Sequence, residues 1–376
     1  MSQSVRLDLT SLKTALASYV ASAKIDLTSL SATTDNIVGL VDTIGKIYTI
    51  DTSVYDKLPE LDGTALSFGK TVEEWQQDMS LPVSWDEDSD GNKALKNYVP
   101  SYRPVSFSIT LGRKIFPTSI PYGNIERAVH NEGQFIEIIA MITKKLEDSI
   151  SAWKYGTKRQ LLGEVMSRID NANSTSGSTA YTTNSTALEV GKVYRSGSPV
   201  KYAVAMVSQA AENKTFAELI SEGKLVELQM KQEVAIPEDT STGEAFIKAV
   251  RNAVEKASDI SEGFSFNGNV IGAEQGLVLY VKQGVEAVLD VDTMAGAFHL
   301  DKVALPVEMK VIKDFGNYSG KGYALLMDRR AVRLFEGYNA TRNQENGYGD
   351  RLNIFRHLEF TGHISRNAFF VEFCDD

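Results

Sequence analysis

Residues able to do chemistry are sparse in this chain, and their spacing argues against most of the reactions they could serve. The four histidines are His130, His299, His357 and His363. His357 and His363 would share a face if one straight strand held both, the only geometry here that suits a metal, but Gly362 between them favours a bend and no companion ligand is apparent. Structural or surface histidines are the expectation. The single cysteine, Cys374, lacks an identifiable base and is expected at a frayed end, so a catalytic thiolate is not indicated. The acidic tip Asp86 to Asp90 could attract a hard cation such as calcium, but the full ligand loop is missing and keeping a turn in water is the simpler role. Asp328-Arg329-Arg330 with Arg333 could face phosphates, yet in a strand-turn-strand setting such a group is a solvated corner or an intersubunit ion-pair patch. Gly347-Tyr348-Gly349-Asp350 is too short for a nucleotide site and reads as a turn. No phosphate loop, dinucleotide fingerprint, nucleophile elbow or His-Glu-X-X-His helix occurs. The expectation is therefore no catalytic residue, no cofactor and no metal.

Composition narrows the classes further. With 376 residues and 43% hydrophobic content the chain can build a substantial core, in two lobes or one multi-part fold. Its 39 basic and 49 acidic side chains leave a net charge of -10, which opposes a broad grip on nucleic-acid phosphates. Any contact with DNA should be weak or merely enclosing. One cysteine cannot form an internal disulfide framework, which points to synthesis in a reducing cytoplasm. No basic segment followed by an apolar run opens the chain, and no apolar stretch approaches the roughly 20 residues that span a bilayer, so neither export nor membrane insertion is expected. The Asn-X-Ser/Thr triplets at Asn173, Asn184, Asn213, Asn317 and Asn339 are most simply chance.

What the residues do specify is architecture. Leu9, Leu12, Leu16, Val20 and then Ile37, Leu40, Val41 and Ile44 recur at helical spacing between Ser/Thr-rich joints, a segmented N-terminal arm. Two arms of apolar/polar alternation follow. Trp75, Met79, Leu81, Val83 and Trp85 oppose Glu74, Gln76, Asp78, Ser80 and Ser84, while Val105, Phe107, Ile109 and Leu111 oppose Ser106, Ser108 and Thr110. The acidic stretch from Asp86 to Asn92, with its Asp90-Gly91 step, joins them as a hairpin turn, and Pro117 and Pro121 close the ribbon. A two-stranded ribbon is marginal alone because one apolar face stays uncovered, so it needs its own body or a neighbouring subunit. It reads as an assembly arm.

A long helix follows from about Glu132 to Arg168, where Phe135, Ile138, Ile139, Ile142, Leu146, Ile150, Trp153, Leu161 and Val165 repeat at steps of three and four, with Thr157 in the gap and Gly156 as a place to bend. Asn171 to Thr186 is low-complexity and expected to be a mobile loop. Beyond it, Tyr202 to Ala211 reads as a helix and Leu225 to Ile236 as one apolar-rich element. Ser241-Thr242-Gly243-Glu244 resembles a capping box opening a helix through Phe246, Ile247, Val250, Val254 and Ala257. Strands are expected at Leu277 to Val281, Val307 to Phe315, Tyr323 to Met327, Val332 to Phe335, Leu352 to Phe360 and Ala368 to Phe373, with a strand or helix pair at Val285 to Phe298. Without regular strand-helix alternation the class is α+β.

This order of parts resembles the major capsid proteins of tailed double-stranded-DNA bacteriophages, the Hong Kong phage coat-protein fold, and is most like those of small short-tailed phages. The pieces that carry the resemblance are Gly69-Lys70-Thr71-Val72-Glu73-Glu74, Ser241-Thr242-Gly243, and Glu286-Ala287-Val288-Leu289-Asp290-Val291-Asp292 with Ala297-Phe298. The closing pattern runs from Ala324-Leu325-Leu326-Met327-Asp328 through Arg342-Asn343 to Asn367-Ala368-Phe369-Phe370-Val371. It implies an arm over 1–68, an extended hairpin loop over 69–125, a spine helix and the start of a peripheral domain over 126–186, an axial domain over 187–305, and peripheral strands over 306–376. It also implies a subunit that self-assembles into pentamers and hexamers of an icosahedral head in the host bacterial cytoplasm. Trp75, Met79, Val83, Trp85, Phe107, Ile109 and Leu111 would be its hairpin contacts to neighbouring subunits. Expected partners are further copies of the chain, a separate scaffolding protein, a portal, decoration proteins and an enclosed DNA genome read without sequence specificity.

Some relatives weld hairpin lysines to peripheral asparagines. Lys93, Lys96, Asn339, Asn343 and Asn346 supply such residues here, but these types are common and no crosslink is expected. Two other readings compete: an encapsulin-like nanocompartment shell carrying protein cargo, and a soluble enzyme with a pocket lined by shifted titratable groups.

Overall fold

The structure is a computed structural model that describes residues 55–64, 72–77, 102–106, 109–121, 132–183, 186–209, 213–258, 260–271, 276–285 and 306–375. Its elements in chain order begin with β1 (Glu73–Gln77), β2 (Tyr102–Ser106), β3 (Ile109–Pro121) and α1 (Glu132–Ala172). Then come β4 (Thr179–Ala180), β5 (Val193–Arg195), β6 (Tyr202–Ala205), α2 (Phe216–Ser221), β7 (Leu225–Glu227), β8 (Lys231–Glu233) and α3 (Thr240–Ser258). The remainder is strand: β9 (Ile260–Glu262), β10 (Asn269–Ile271), β11 (Leu277–Lys282), β12 (Glu308–Ile312), β13 (Gly322–Asp328), β14 (Val332–Asn346), β15 (Arg351–Ile364) and β16 (Phe370–Cys374). Helices and strands are mixed without alternation, the α+β class. The N-terminal residues 1–54 and the stretch 286–305 lie outside the described residues.

The chain divides into two units. The smaller holds residues 1–54, 117–149 and 343–354; the larger holds 55–116, 150–342 and 355–376. Within the smaller, the turn 347–350 closes β14 onto β15, where Asn346 Oδ1 accepts the Gly349 amide at 3.0 Å and Asp350 takes a φ of 44°. Short polar residues tolerate that left-handed geometry. Ser119 Oγ donates to Asn353 Oδ1 at 2.7 Å.

The larger unit is organised on a five-stranded sheet in the order β12-β11-β13-β16-β8. Its two central pairings are antiparallel, whereas β12 and β8 join the edges in parallel. Every residue of β13 and of β16 is buried, so these strands are covered on both faces. The amphipathic α3 covers one face, setting Phe246, Ile247, Val250, Ala253 and Ala257 against Leu279, Val281, Leu326, Val371 and Phe373. A four-stranded sheet, β4-β5-β6-β7, makes a second core with α2 around Tyr194, Ala203, Ala205, Leu219 and Leu225. The strands β14-β15-β3 form a third sheet.

The helix α1 is continuous through Gly156, four residues longer than the periodicity indicated and about 60 Å at 1.5 Å per residue. From Thr157 onward its buried face widens to include Leu161, Leu162, Val165, Met166 and Ile169, because it is covered on two sides. Two glycines mark those contacts. A Cβ on Gly163 would stand 2.0 Å from the Phe315 carbonyl oxygen, and one on Gly362 of β15 would stand 2.8 Å from Leu161 Cδ2. Gly362 is thus a close-packing position within a continuous strand.

Other local expectations are corrected by tertiary pairing. Residues Tyr202 to Ala205, read as the start of a helix, form a strand bonded on both sides by β5 and β7. Alanine-rich apolar runs suit either state, and the ladder decides. Leu225 to Ile236 is two strands in two different sheets. The cap of α3 is Asp239, whose Oδ1 accepts the Thr242 amide at 2.8 Å while Thr242 Oγ1 accepts the Asp239 amide at 3.0 Å, two residues earlier than the Ser241 box. A reciprocal Thr215/Glu218 box opens α2, which the sequence reading missed. The serine-rich stretch after α1 is a turn held by its own hydroxyls, with Gly177 N on Ser174 Oγ at 3.0 Å and Ser178 Oγ on Ser174 O at 2.6 Å. Tyr181 then packs on Phe216.

Candidate assembly surface

The hairpin base is an antiparallel pair in which Glu73 faces Ser106, Trp75 faces Pro104 and Gln77 faces Tyr102. Met79, Val83, Trp85 and Phe107 lie outside the described residues; Trp75, Ile109 and Leu111 fall within the backbones of β1 and β3. What positions the ribbon is Glu74, one of its polar set. Its Oε1 accepts from Ser365 Oγ at 2.5 Å, its Oε2 accepts the Arg366 amide at 3.2 Å, and His363 Nε2 stands 4.0 Å away. A carboxylate accepting from the β15–β16 corner ties the foot of the ribbon to the buried sheet.

A second anchor is the strap 55–64, which leads toward the ribbon. Leu58 and Leu61 are fully buried, and the Gly63 amide donates to the Leu334 carbonyl at 2.9 Å. Lys158 of α1, with no exposed surface, ion-pairs with Asp56, reaches Asp62 at 2.9 Å and donates to the Leu58 carbonyl at 2.7 Å. All three ammonium protons thus have acceptors, the condition for tolerating a buried charge. Glu60 takes Lys310 at 2.7 Å and the Tyr280 hydroxyl at 3.1 Å, and Arg333 Nη1 donates to the carbonyls of Glu60 at 2.7 Å and Asp62 at 3.0 Å.

The third feature is exposed strand. β14 extends eleven residues past the expected Val332 to Phe335. It is buried only at Val332 and Leu334, while Gly337, Tyr338, Asn339, Thr341 and Arg342 face water. Its sheet partners β15 and β3 meet α1 at Trp153, whose ring lies 4.9 Å from Phe360 and 6.1 Å, edge-on, from Phe116. Arg113 Nε donates to the nearly buried Glu359 at 3.1 Å, and a recess of about 250 Å³ opens between Arg113, Tyr338, His357 and Leu358. Asn339, Asn343 and Asn346 belong to β14, whereas Lys93 and Lys96 lie outside the described residues.

His357 and His363 share the continuous β15, and among the described residues no group of His, Cys, Asp and Glu could hold a metal. His363 is buried beside Phe335 and Glu74. His130 and His299 lie outside the described residues. The arginine corner is internally paired: Arg330 forks onto Asp328 and Arg329 pairs with Glu308. Cys374 is buried within β16 rather than frayed, and burial pushes its thiol up to about 11, further from a nucleophile.

The strongly shifted groups are interior and line neither that recess nor a second of about 310 Å³ that includes Arg168, Phe266 and Arg366. Burial raises the phenols of Tyr280, Tyr318 and Tyr323. Glu372, fully buried in β16, is pushed by desolvation up to about 7. Lys158 and Glu372 escaped the sequence reading, although a charge inside each apolar pattern was the available signal.

A family model for the Phi29-like phage major capsid protein matches residues 1–373. A comparison with curated proteins finds no match. Among solved structures, a chain in the capsid structure of Staphylococcus phage Andhra aligns with TM-score 0.57 and 10% identity, covering 87% of this chain and 86% of that one. A chain in the structure of the head fiber and inner core protein gp22 of native bacteriophage P68 aligns with TM-score 0.53, 10% identity and the same coverage of 87% and 86%. At these identities the likeness is one of fold.

Proposed function

The chain belongs to the Phi29-like phage major capsid protein family, and from that premise we propose how this structural capsid subunit builds its shell. The resemblance read from the sequence is borne out, the protein's place is the virion, and neither the nanocompartment nor the enzyme reading is favoured. In our reading, copies associate as pentamers and hexamers that tile an icosahedral head around double-stranded DNA, with the extended hairpin lying across the adjoining copy. Trp75, Met79, Val83, Trp85, Phe107, Ile109 and Leu111 supply its apolar contacts, while residues 187–305 surround the local symmetry axes and 306–376 complete a peripheral layer. A separate scaffolding protein, a portal and decoration proteins complete the head in the host cytoplasm.

The observation that supports this reading best is the exposed length of β14, whose outer residues are not covered by any core among the described residues. Apolar ribbon area hidden only on association contributes about 25 cal/mol per Å² to assembly. The net charge of -10 suits a wall to which incoming DNA should not adhere. Negative-stain microscopy of the purified chain, alone and with phage extract, tests it. Large closed particles are expected from the wild type, and Trp85→Asp with Phe107→Asp should leave a folded, soluble species that forms none. Shells from that variant would remove the hairpin from the interface, and a wild type that stays a discrete small oligomer would refute the assembly scheme.

A further inference from the structure

Where the last turn of α1 meets the five-stranded sheet, four polar side chains meet, Glu372 fully buried and Asp170, Lys231 and Tyr318 partly so. Tyr318 Oη lies 2.7 Å from Asp170 Oδ2 and 2.6 Å from Glu372 Oε1, and it accepts the Gly322 amide at 3.2 Å. Lys231 Nζ donates to the other Asp170 oxygen at 2.7 Å. Among the described residues Glu372 Oε2 is buried with no hydrogen-bond partner.

The protons can be counted. A phenol carries one hydrogen and two lone pairs, so Tyr318 can donate to only one of the two carboxyls. Asp170 has a donor on each oxygen if Tyr318 serves it, and Lys231 balances its charge. The 2.6 Å contact to Glu372 then lacks a hydrogen unless Glu372 brings one. A carboxylate placed there would also leave a bare, dry oxygen at Oε2, whereas the carbonyl of a neutral acid loses much less by going unpaired.

We propose that Glu372 keeps its proton in mildly acidic solution and donates it to Tyr318, making the chain Glu372–Tyr318–Asp170–Lys231 a proton-dependent clamp between α1 and the sheet. The groups facing Glu372 are consistent with this. Asp170 and the thioether of Met166 approach from α1, Lys231 from β8, Tyr318 from the 313–321 connection, and Cys374 from its own strand. Lys231 is the single cation among them; burial opposes its charge, but the Asp170 bond and attraction more than offset that and hold it above the usual lysine range. Ionising Glu372 would set two anions around one hydroxyl and forfeit a hydrogen bond.

The sign follows from linkage. The folded-state value of Glu372, about 7, lies above its ordinary 4.5, so its contribution is fully present below about 4.5 and is lost as pH rises through about 7. Between those limits one proton is released on unfolding, and the folding constant falls about tenfold per pH unit from this group. The test is unfolding of the full-length chain against pH, wild type beside Glu372→Gln, whose amide can still donate to Tyr318. Relative to the variant, the wild type should lose stability across this window; parallel profiles would overturn the proposal. Should the variant not fold, infrared difference spectra of the wild type decide. At about pH 6, where ordinary carboxyls are ionised, one protonated-carboxyl band should persist and disappear above about pH 8, and its absence at the lower pH refutes the clamp.

Discussion

Replacing Lys158 by Met removes a charge from the interior while keeping most of the stem that lies along α1. The loss should be large, because Asp56 is left with little solvent to compensate it: the lysine side chain is 0% exposed and that of Asp56 15%. Breaking a buried pair from one side costs about 3–5 kcal/mol. Asp62, at 44% exposed, regains water and adds little, since exposed pairs are worth about 0–1 kcal/mol. The Leu58 carbonyl loses its donor, which adds about 1 kcal/mol. Some of this is recovered if the strap lifts and rehydrates Asp56, so the expected net loss is about 3 kcal/mol. Urea denaturation measures the total, and amide exchange at Leu61, Asp62 and Gly63, whose bonds run to Leu58, Pro59 and Leu334, reports release of the strap. Salt should change the result little, because a dry pair is poorly screened. A loss below about 1 kcal/mol, or unchanged exchange at those three amides, would refute the view that this ammonium anchors the strap.

Two glycines of the same helix should respond with opposite signs. Gly156→Ala meets nothing within 4 Å and should gain about 0.5–1 kcal/mol of helix propensity, whereas Gly163→Ala drives its methyl to 2.0 Å from the Phe315 carbonyl oxygen and should lose about 1–3 kcal/mol net, both read by thermal unfolding. If Gly163→Ala stabilises, the packing of the 313–321 connection on α1 is wrong. Thr215→Ala removes the box on α2 and should cost about 1 kcal/mol in urea, with no change in slope.

Much of the architecture was legible because its determinants are local. The three-and-four repeat of Ile150, Trp153, Leu161 and Val165 specifies α1 whatever covers it, and the unbroken apolar runs at Leu277 and Ala324 specify strands buried on both faces. The polar Gly347-Tyr348-Gly349-Asp350 marks a turn for the same reason, and the order of these parts placed the chain in its family. The helix expected at Tyr202 failed because Ala203, Val204 and Ala205 suit either state, and only β5 and β7 supply the ladder that decides. The length of β14 was hidden since Asn343, Gln344 and Glu345 carry no apolar alternation; their strand state comes from pairing, not burial.

The polar interior was beyond sequence reasoning for a further reason. Lys158 meets Asp56 across 102 residues of chain, and Tyr318 meets Glu372 across 54, so no window contains both partners. The sequence by itself determined the long helix, the doubly buried strands and the family the chain joins, because backbone periodicity and turn chemistry act over a few residues. Only the tertiary structure decided where charge is buried, which carboxyl keeps a proton and which strands adjoin, because desolvation and pairing are set by neighbours that the chain brings together from far apart.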